Sequence, residues 1–219
     1  MRDVYLDKLQ VSESIRGGVV ELNKNYRRIV IENSIEISFN CLYHKLLIYF
    51  YDNDILNKFD IKSENLDSVI VRLKYLFDNN LHNITENKIW RNSIWIKEIS
   101  SMTHAIFDLY YQYMRMVYDE IMINHNWLYI DTDTFYILGD IKDCDNIKSK
   151  LSYLSIEITY RNKPYIFLEG PKSYVYSDGS TLRYRGLRYS TGNDKSKLEK
   201  IESVMNIYIR NDKFNKLLL

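Results

Sequence analysis

Residues Trp127 to Ile137 read WLYIDTDTFYI, two apolar segments on either side of Asp131, Thr132 and Asp133. The aromatic and β-branched residues of each segment are typical of short strands, so the stretch predicts an antiparallel hairpin that carries two aspartates where its strands meet. Buried ionised carboxylates are costly to desolvate, and they are normally accompanied by a metal ion, a cation or a raised pKa. The interpretation of the whole chain depends on the role of this acid pair.

Length and composition indicate one ordinary domain or a large one with an appendage. The chain has 219 residues, of which 46% are hydrophobic, enough for a real core. No apolar run is long enough for a membrane helix. The opening residues MRDVYLDKLQ contain two acids and no apolar core, so we expect neither a secretory signal nor a transit peptide. We therefore expect an intracellular protein. The two cysteines form no metal-binding pair.

Residue choice indicates an AT-rich gene. Ala105 is the only alanine, and 2 prolines and 7 glycines stand against 20 tyrosines. We therefore expect a mitochondrial genome, a plasmid or a virus as the source. The net charge of +1 excludes a globally basic nucleic-acid binder, although the segment from Arg161 to Arg188 has six basic and two acidic residues and the remainder is −3.

Periodicity predicts a mixed α and β fold. Helical spacing of apolar residues extends over about 54–79 and about 92–124, a strand leads into a helix within SIEISFNCLYHKLLIYF, and a last helix covers 195 to about 208. The segments SIEITY and KPYIFLEG read as further strands, and Ser177 to Ser180 supply the turn of another hairpin.

Side chains two apart on a strand point the same way, so Asp131 and Asp133 are expected to face one side. Mg²⁺ prefers oxygen ligands, commonly one or two carboxylates with substrate phosphates, and two-metal nucleotidyl transfer uses such acid clusters. The alternative is a polar turn that closes a hairpin, where aspartates are common. Other stretches of the sequence favour the metal interpretation.

The chain resembles the protein-primed family B DNA polymerases of phages and linear mitochondrial plasmids. YIDTDTFYI is similar to motif C of that family, SFNCLYHKLL to motif A, KIWRNSIW to motif B, PKSYVY to the Lys-x-Tyr element that follows motif C, and IRGG, Ile15 to Gly18, to the element that precedes the palm. The order of the five is that of the family, and the resemblance spans about 15–188.

The resemblance implies a role for each matching residue. Asp133 and the motif A aspartate hold two metal ions, and Asp131 helps to shape the site that they occupy. Lys88 and Asn92 belong to motif B, whose lysine contacts the phosphates of the incoming nucleotide, and Tyr43 stacks below its sugar. Lys172 and Tyr174 steady the primer end. If this chain is an active polymerase, the resemblance implies Mg²⁺ as its cofactor; if it is inactive, we expect no cofactor.

The departures from the family pattern affect the same site. Ser38 replaces the motif A aspartate and is not an anionic ligand, while Glu36, two residues earlier, is a conceivable substitute. Cys41 and His44 replace a serine and a proline, and Trp95 and Ile96 replace the Tyr-Gly that ends motif B. We expect no exonuclease domain, because only 14 residues precede Ile15. The short intervals between the motifs leave no room for the large insertions of the family.

The expected fold is therefore a single palm-like α+β domain, 1–219, with an antiparallel sheet, helices on one face, and reduced fingers and thumb. Within it we assign 15–50 to the motif A region, 51–96 to reduced fingers-like helices, 97–190 to the palm with motif C and the Lys-x-Tyr element, and 191–219 to a C-terminal helix.

A basic and aromatic segment follows motif C. Tyrosines alternate there with cations, and hairpin geometry places Arg183 and Arg185 on one face, with Arg188 beyond them. Such a row suits phosphates, and exposed rings stack on bases. The alternative is an ordinary sheet with buried tyrosines and solvated arginines.

Three functions remain open at this point. The first is a polymerase-derived protein without self-sufficient activity, which binds nucleic acid, DNA or RNA, and protein subunits of a larger assembly, with no membrane. The second is an active subunit of a DNA-directed DNA polymerase that depends on Mg²⁺, with its other parts on separate chains. The third is a plain structural protein whose motif matches are chance.

Overall fold

The computed structural model describes residues 5–10, 18–154, 156–177, 181–185 and 192–217. Its contacts divide the chain into two compact units that alternate along the sequence. Unit 1 is Met1–Gly18, Asn40–Glu120 and Ser149–Glu157, and unit 2 is Val19–Phe39, Ile121–Lys148 and Ile158–Leu219. None of the helices in the described ranges is long and apolar enough to cross a membrane.

Unit 1 is helical. Its helices are α1 (Leu42–Asp52), α2 (Ile55–Lys58), α3 (Leu66–Asp78), α4 (Thr85–Lys97) and the larger part of α5 (Thr103–Asn124). Apolar residues three and four apart bury one face of α3, including Val69, Ile70 and Leu73, each at most 2% exposed. The predicted passage from a strand into a helix at SIEISFNCLYHKLLIYF is confirmed.

Two predicted helices are each interrupted. The helix expected from Asn92 to Asn124 is wrong as one element, because α4 ends at Lys97 and α5 begins at Thr103 after a 3₁₀ turn at Ser100–Met102. The Thr103 hydroxyl donates to the carbonyl oxygens of Trp95 and Ile99, and side-chain bonds of this kind compete with helix continuation. The spacing over 54–79 is likewise broken between α2 and α3, where Asp60 has a φ of 53°.

Unit 2 contains a seven-stranded sheet. The strands are β1 (Val20–Leu22), β2 (Val30–Asn40), β3 (Asn126–Asp131), β4 (Thr134–Leu138), β5 (Glu157–Gly170), β6 (Ser173–Ser177) and β7 (Leu182–Arg185). Their order across the sheet is β1-β3-β4-β2-β5-β6-β7, and the pairings of β1 with β3, β3 with β4, β4 with β2, β5 with β6 and β6 with β7 are antiparallel. SIEITY and KPYIFLEG, expected as separate strands, form the single strand β5.

Helices α6 (Ile141–Lys150) and α7 (Gly192–Leu217) follow the strands, and α7 extends beyond the predicted 195–208. Ile201 and Met205 of α7 pack against Tyr165 of β5 and Val175 of β6. This cluster covers one face of β5, β6 and β7. The fold is thus mixed α+β with an antiparallel sheet, as predicted at that level.

Candidate functional site: the acidic hairpin and the face it shares

The acid pair lies at the tip of the β3–β4 hairpin. Asp131 is the last residue of β3, whereas Thr132 and Asp133 form the two-residue turn. Thr132 has a φ of 61°, and its N–H donates to the Val19 carbonyl at 2.8 Å. The Phe39 N–H donates to the Asp133 carbonyl at 2.9 Å, which holds the turn against β2. Turn geometry, and not the strand alternation we expected, therefore sets the direction of the Asp133 side chain.

Strand register places Ser38 in one row with the hairpin acid. Asp131 is paired with Thr134, and Thr134 is paired with Ser38 on the next strand. Directly paired residues present their side chains on the same face, so the row contains one carboxylate and two hydroxyls. The next row inward is Tyr129, Tyr136 and Glu36. We call the face formed by these two rows the site face.

The Glu36 carboxylate on the site face is paired with a cation and a hydroxyl of the same chain. Its Oε2 lies 3.2 Å from the ammonium of Lys163, and their side chains are only 13% and 7% exposed. The Tyr136 hydroxyl donates to the same oxygen at 3.0 Å. The Lys163 ammonium also lies 4.0 Å from the centre of the Tyr176 ring, which adds a cation–π contact. Glu36, the candidate substitute ligand of the sequence analysis, therefore has the buried cation Lys163 as its partner.

Three buried tyrosines connect Glu36 to the hairpin. The Tyr136 hydroxyl lies 3.1 Å from that of Tyr174, and the Tyr129 ring packs against both others, with ring centres 5.9 and 5.5 Å away. Burial raises the pKa of all three phenols, and the charge of Asp131 raises those of Tyr129 and Tyr174 further. These phenols are neutral at physiological pH, so they supply hydrogen bonds and apolar surface.

The arginines of β7 belong to the same face. Arg185 is paired with Tyr174 and Arg183 with Tyr176, so the two cations share a face with the two tyrosines, as the hairpin prediction required. Desolvation is the main cause of a raised pKa at Asp133; the charge of Asp131 adds to it, and the positive charge of Arg185 opposes it. Arg185 therefore acts electrostatically on Asp133.

The turn between β5 and β6 presents Lys172. Its φ is 57°, and its backbone N–H donates to the Tyr129 hydroxyl at 2.5 Å. This bond anchors the backbone of the turn to the buried tyrosines, and the Lys172 side chain is exposed to solvent. Tyr174, two residues later, is only 5% exposed.

The motif A tyrosine and the motif B residues belong to unit 1. Tyr43 packs against Phe107 and Tyr110, with ring centres 5.3 and 5.5 Å away. Lys88 and Asn92 lie one turn apart on α4 and are both exposed. Unit 2 brings together Ser38, Glu36, Asp131, Asp133, Tyr174 and Arg185. Arg188 and residues 15–17 of the IRGG element lie outside the described residues.

Sequence reasoning did not identify Lys163 as a site residue. Strict alternation back from Ile166 would place Pro164 on the site face, so no pattern assigned Lys163 to Glu36. Among the residues that the structure describes, no group of three or more Asp, Glu, His or Cys side chains is arranged to hold a metal ion.

Comparison with solved structures gives a distant match. The family B DNA polymerase from the hyperthermophilic archaeon Pyrobaculum calidifontis matches 81% of this chain with a TM-score of 0.55 and 9% sequence identity. The match covers 30% of the polymerase chain. No protein-family model and no curated protein matches the sequence. At this identity the similarity concerns the fold alone, and the chain accordingly has a distantly polymerase-like fold.

Proposed function

We propose that this chain is a palm protein derived from a protein-primed family B DNA polymerase, without self-sufficient polymerase activity. In this proposal it binds nucleic acid as one component of a larger assembly. The fold similarity to a family B polymerase supports the origin, together with the five motifs in register. The amino-acid bias that indicates an AT-rich gene supports a mitochondrial, plasmid or viral genome.

One observation carries the proposal: the row that begins at Asp131 ends in the neutral Ser38. Two divalent ions need several carboxylate charges. Glu36, the acid in the next row of that face, is paired with Lys163 at 3.2 Å. The donor set therefore does not fit the two-ion site that the family resemblance implies. The exposed cation Arg185 also acts electrostatically on Asp133.

Binding is supported by the exposed cations beside these acids. Lys172, Arg183 and Arg185 are exposed, and the two arginines share a face with Tyr174 and Tyr176. Contacts from such cations to phosphates fix a nucleic acid in place without reading its sequence. A protein with this surface needs no metal to hold DNA or RNA, so binding and catalysis separate in experiments.

An active subunit is the second candidate, because Asp131 and Asp133 remain together at the hairpin tip. Primer extension on a DNA template with Mg²⁺ or Mn²⁺ distinguishes the two candidates. We expect the full chain to extend no more primer than its Asp133→Asn variant. Extension that disappears in Asp133→Asn would instead establish the active subunit.

The variant Ser38→Asp tests whether the missing carboxylate limits metal binding. It returns a carboxylate to the row of Asp131 and Thr134, so we expect it to bind Mn²⁺ more tightly than the natural chain in electron paramagnetic resonance titrations. Equal Mn²⁺ binding by both chains would show that the charge at position 38 does not limit the site.

A further inference from the structure

Two neighbouring helices of unit 1 present large apolar side chains to solvent. Val71 and Tyr75 of α3 are 68% and 58% exposed, and Ile89 and Ile96 of α4 are 65% and 78% exposed. Positions four or seven apart lie on the same side of a helix, so each pair forms one stripe. Single exposed apolar residues are ordinary, whereas contiguous exposed patches mark interaction surfaces.

Both stripes lie on the sides of their helices that face away from helix α1. The Lys45 ammonium of α1 lies 4.1 Å from the centre of the Phe77 ring of α3. The ring nitrogen Nε2 of His44, also in α1, is hydrogen-bonded to the Arg91 carbonyl of α4 at 2.9 Å. Phe77 and Arg91 are buried, and the helical period of 3.6 residues places the exposed stripes on the far side of α3 and α4 from them.

A direct contact joins the two helices beside the stripes. The Arg72 guanidinium of α3 lies 4.0 Å from the centre of the Trp90 ring of α4, a cation–π contact. Each of these two residues directly follows a stripe residue in the sequence, so the stripes belong to one surface. We call the surface formed by Val71, Tyr75, Ile89 and Ile96 the apolar face.

Helix α4 also carries two charges at matched positions. Glu86 lies in its first turn and Lys97 in its last, and both are exposed. No ion pair to either of them is present among the described residues. They are 11 positions apart, close to three turns, so they lie on the same flank of the isoleucine stripe. Their midpoint falls between residues 91 and 92, and the midpoint of Ile89 and Ile96 falls between residues 92 and 93.

An antiparallel second copy of α4 satisfies both relations at once. A two-fold axis near residues 91–93 brings Ile89 of one copy beside Ile96 of the other. The same axis brings Glu86 of one copy beside Lys97 of the other, on the same flank. An interface between identical surfaces requires this reciprocity, because each contact occurs twice. A partner of a single charge sign, such as nucleic acid, would be repelled at one end of the stripe.

We propose that the apolar face is a self-association surface, through which this chain forms a two-fold symmetric dimer with α4 antiparallel to α4 of the second copy. Ile89 and Ile96 form the centre of the contact, and ion pairs between Glu86 and Lys97 lie on its flank. Val71 and Tyr75 of α3 extend the contact at its edge. This dimer is independent of the nucleic-acid binding proposed for the site face of unit 2.

The size of the surface sets the expected affinity. Helix α4 has 13 residues and is therefore about 20 Å long. A contact of this length lies at the small end of specific protein–protein interfaces, which commonly bury about 1,600 Å². We expect a dissociation constant on the order of 10 µM.

The test is sedimentation velocity of the full chain from about 1 to about 200 µM, a range that brackets this constant. We expect a monomer at the lowest concentration and a dimer at the highest. A chain that sediments as a monomer throughout overturns the proposal and assigns the apolar face to a different partner.

Charge-swap variants test the geometry of the dimer. Lys97→Glu and Glu86→Lys should each weaken it on the order of tenfold, because two exposed ion pairs become two repulsions. The double variant that combines them restores both pairs and should dimerise within about threefold of the natural chain. Lys148→Glu is the matched control, because it makes the same charge change at an exposed position of α6 and should leave dimerisation unchanged.

The centre of the contact is tested by Ile96→Glu, which should weaken the dimer more than about tenfold, because the interface would then bury a carboxylate. A dimer that tolerates Ile96→Glu uses another surface, and this result overturns the proposal. A double charge swap that remains as weak as its single variants overturns the antiparallel arrangement. Circular dichroism confirms that each variant is folded, which the exposure of positions 86, 96 and 97 favours.

Discussion

Lys163 and Glu36 are both largely buried, and each compensates the charge of the other across 3.2 Å. Removing one partner of such a pair leaves an uncompensated buried charge, whereas replacing both partners with apolar residues is often close to neutral. Lys163→Met should therefore lower the free energy of unfolding by about 3–5 kcal/mol. Urea denaturation followed by fluorescence measures it.

The double variant Lys163→Met with Glu36→Leu should recover most of that loss. Lys62→Gln is the surface control, because Lys62 pairs with Asp60 where both side chains are more than two-thirds exposed. We expect no measurable change in its urea midpoint. If Lys163→Met changed the urea midpoint as little as Lys62→Gln does, the pair of Lys163 and Glu36 would not hold the site face together.

His44 gives the stability of the chain a defined pH dependence. Its pKa is lowered to about 4 in the folded chain from an ordinary value of 6.5, chiefly by burial. Between these values the unfolded chain binds more protons, so stability is present above pH 6.5 and is lost as the pH falls towards 4. From pH 7 to pH 5 the loss from this one group is about 2 kcal/mol.

His44→Gln keeps an N–H donor for the Arg91 carbonyl but does not titrate. Urea midpoints of the natural chain and the variant at pH 7 and pH 5 isolate the contribution of His44 from those of all other groups. The variant should lose less stability than the natural chain over this interval. Equal losses would show that the folded chain can protonate His44 without cost.

The secondary-structure elements differ in how far their sequences determine them. The β3–β4 hairpin was predictable because its two apolar segments and its polar turn are contiguous, and the β6–β7 pairing followed from the same kind of local pattern. The break between α4 and α5 was not predictable from periodicity, because apolar spacing continues through residues 98–102. The Thr103 hydroxyl nevertheless donates to the carbonyl of Trp95 in α4 and to that of Ile99 just after it. Periodicity reports which face is buried and is insensitive to such a bond.

The residues of the candidate site likewise differ in how far the sequence predicted them. Asp131 and Asp133 were found from a local motif, and the resemblance named Ser38, which the register then placed in the row of Asp131. Lys163 was missed because its contact with Glu36 joins residues 127 positions apart and does not follow strand alternation. Long-range pairing of this kind depends on the order of the strands, which no local pattern encodes.

At the scale of the whole chain, the two units alternate along the sequence without a linker of distinct composition, so no compositional change predicted them. Charge is distributed unevenly between segments, since 161–188 is +4 and the remainder is −3. A chain of net charge +1 can therefore bind phosphates only through a local surface. Binding through such a surface should depend measurably on the salt concentration.

Each phosphate contact to a single strand contributes about 0.7 to the slope of log binding constant against log salt concentration. Changing Lys172, Arg183 and Arg185 together to Gln should reduce the slope for a labelled single-stranded DNA by about 2, measured by fluorescence anisotropy. The matched control changes Lys142, Lys148 and Lys200, exposed lysines on α6 and α7, to Gln. Both triple variants lose three positive charges, so only a local phosphate-binding surface makes their slopes differ. Equal slopes would instead attribute binding to net charge and would remove β7 and the Lys172 turn from the interface.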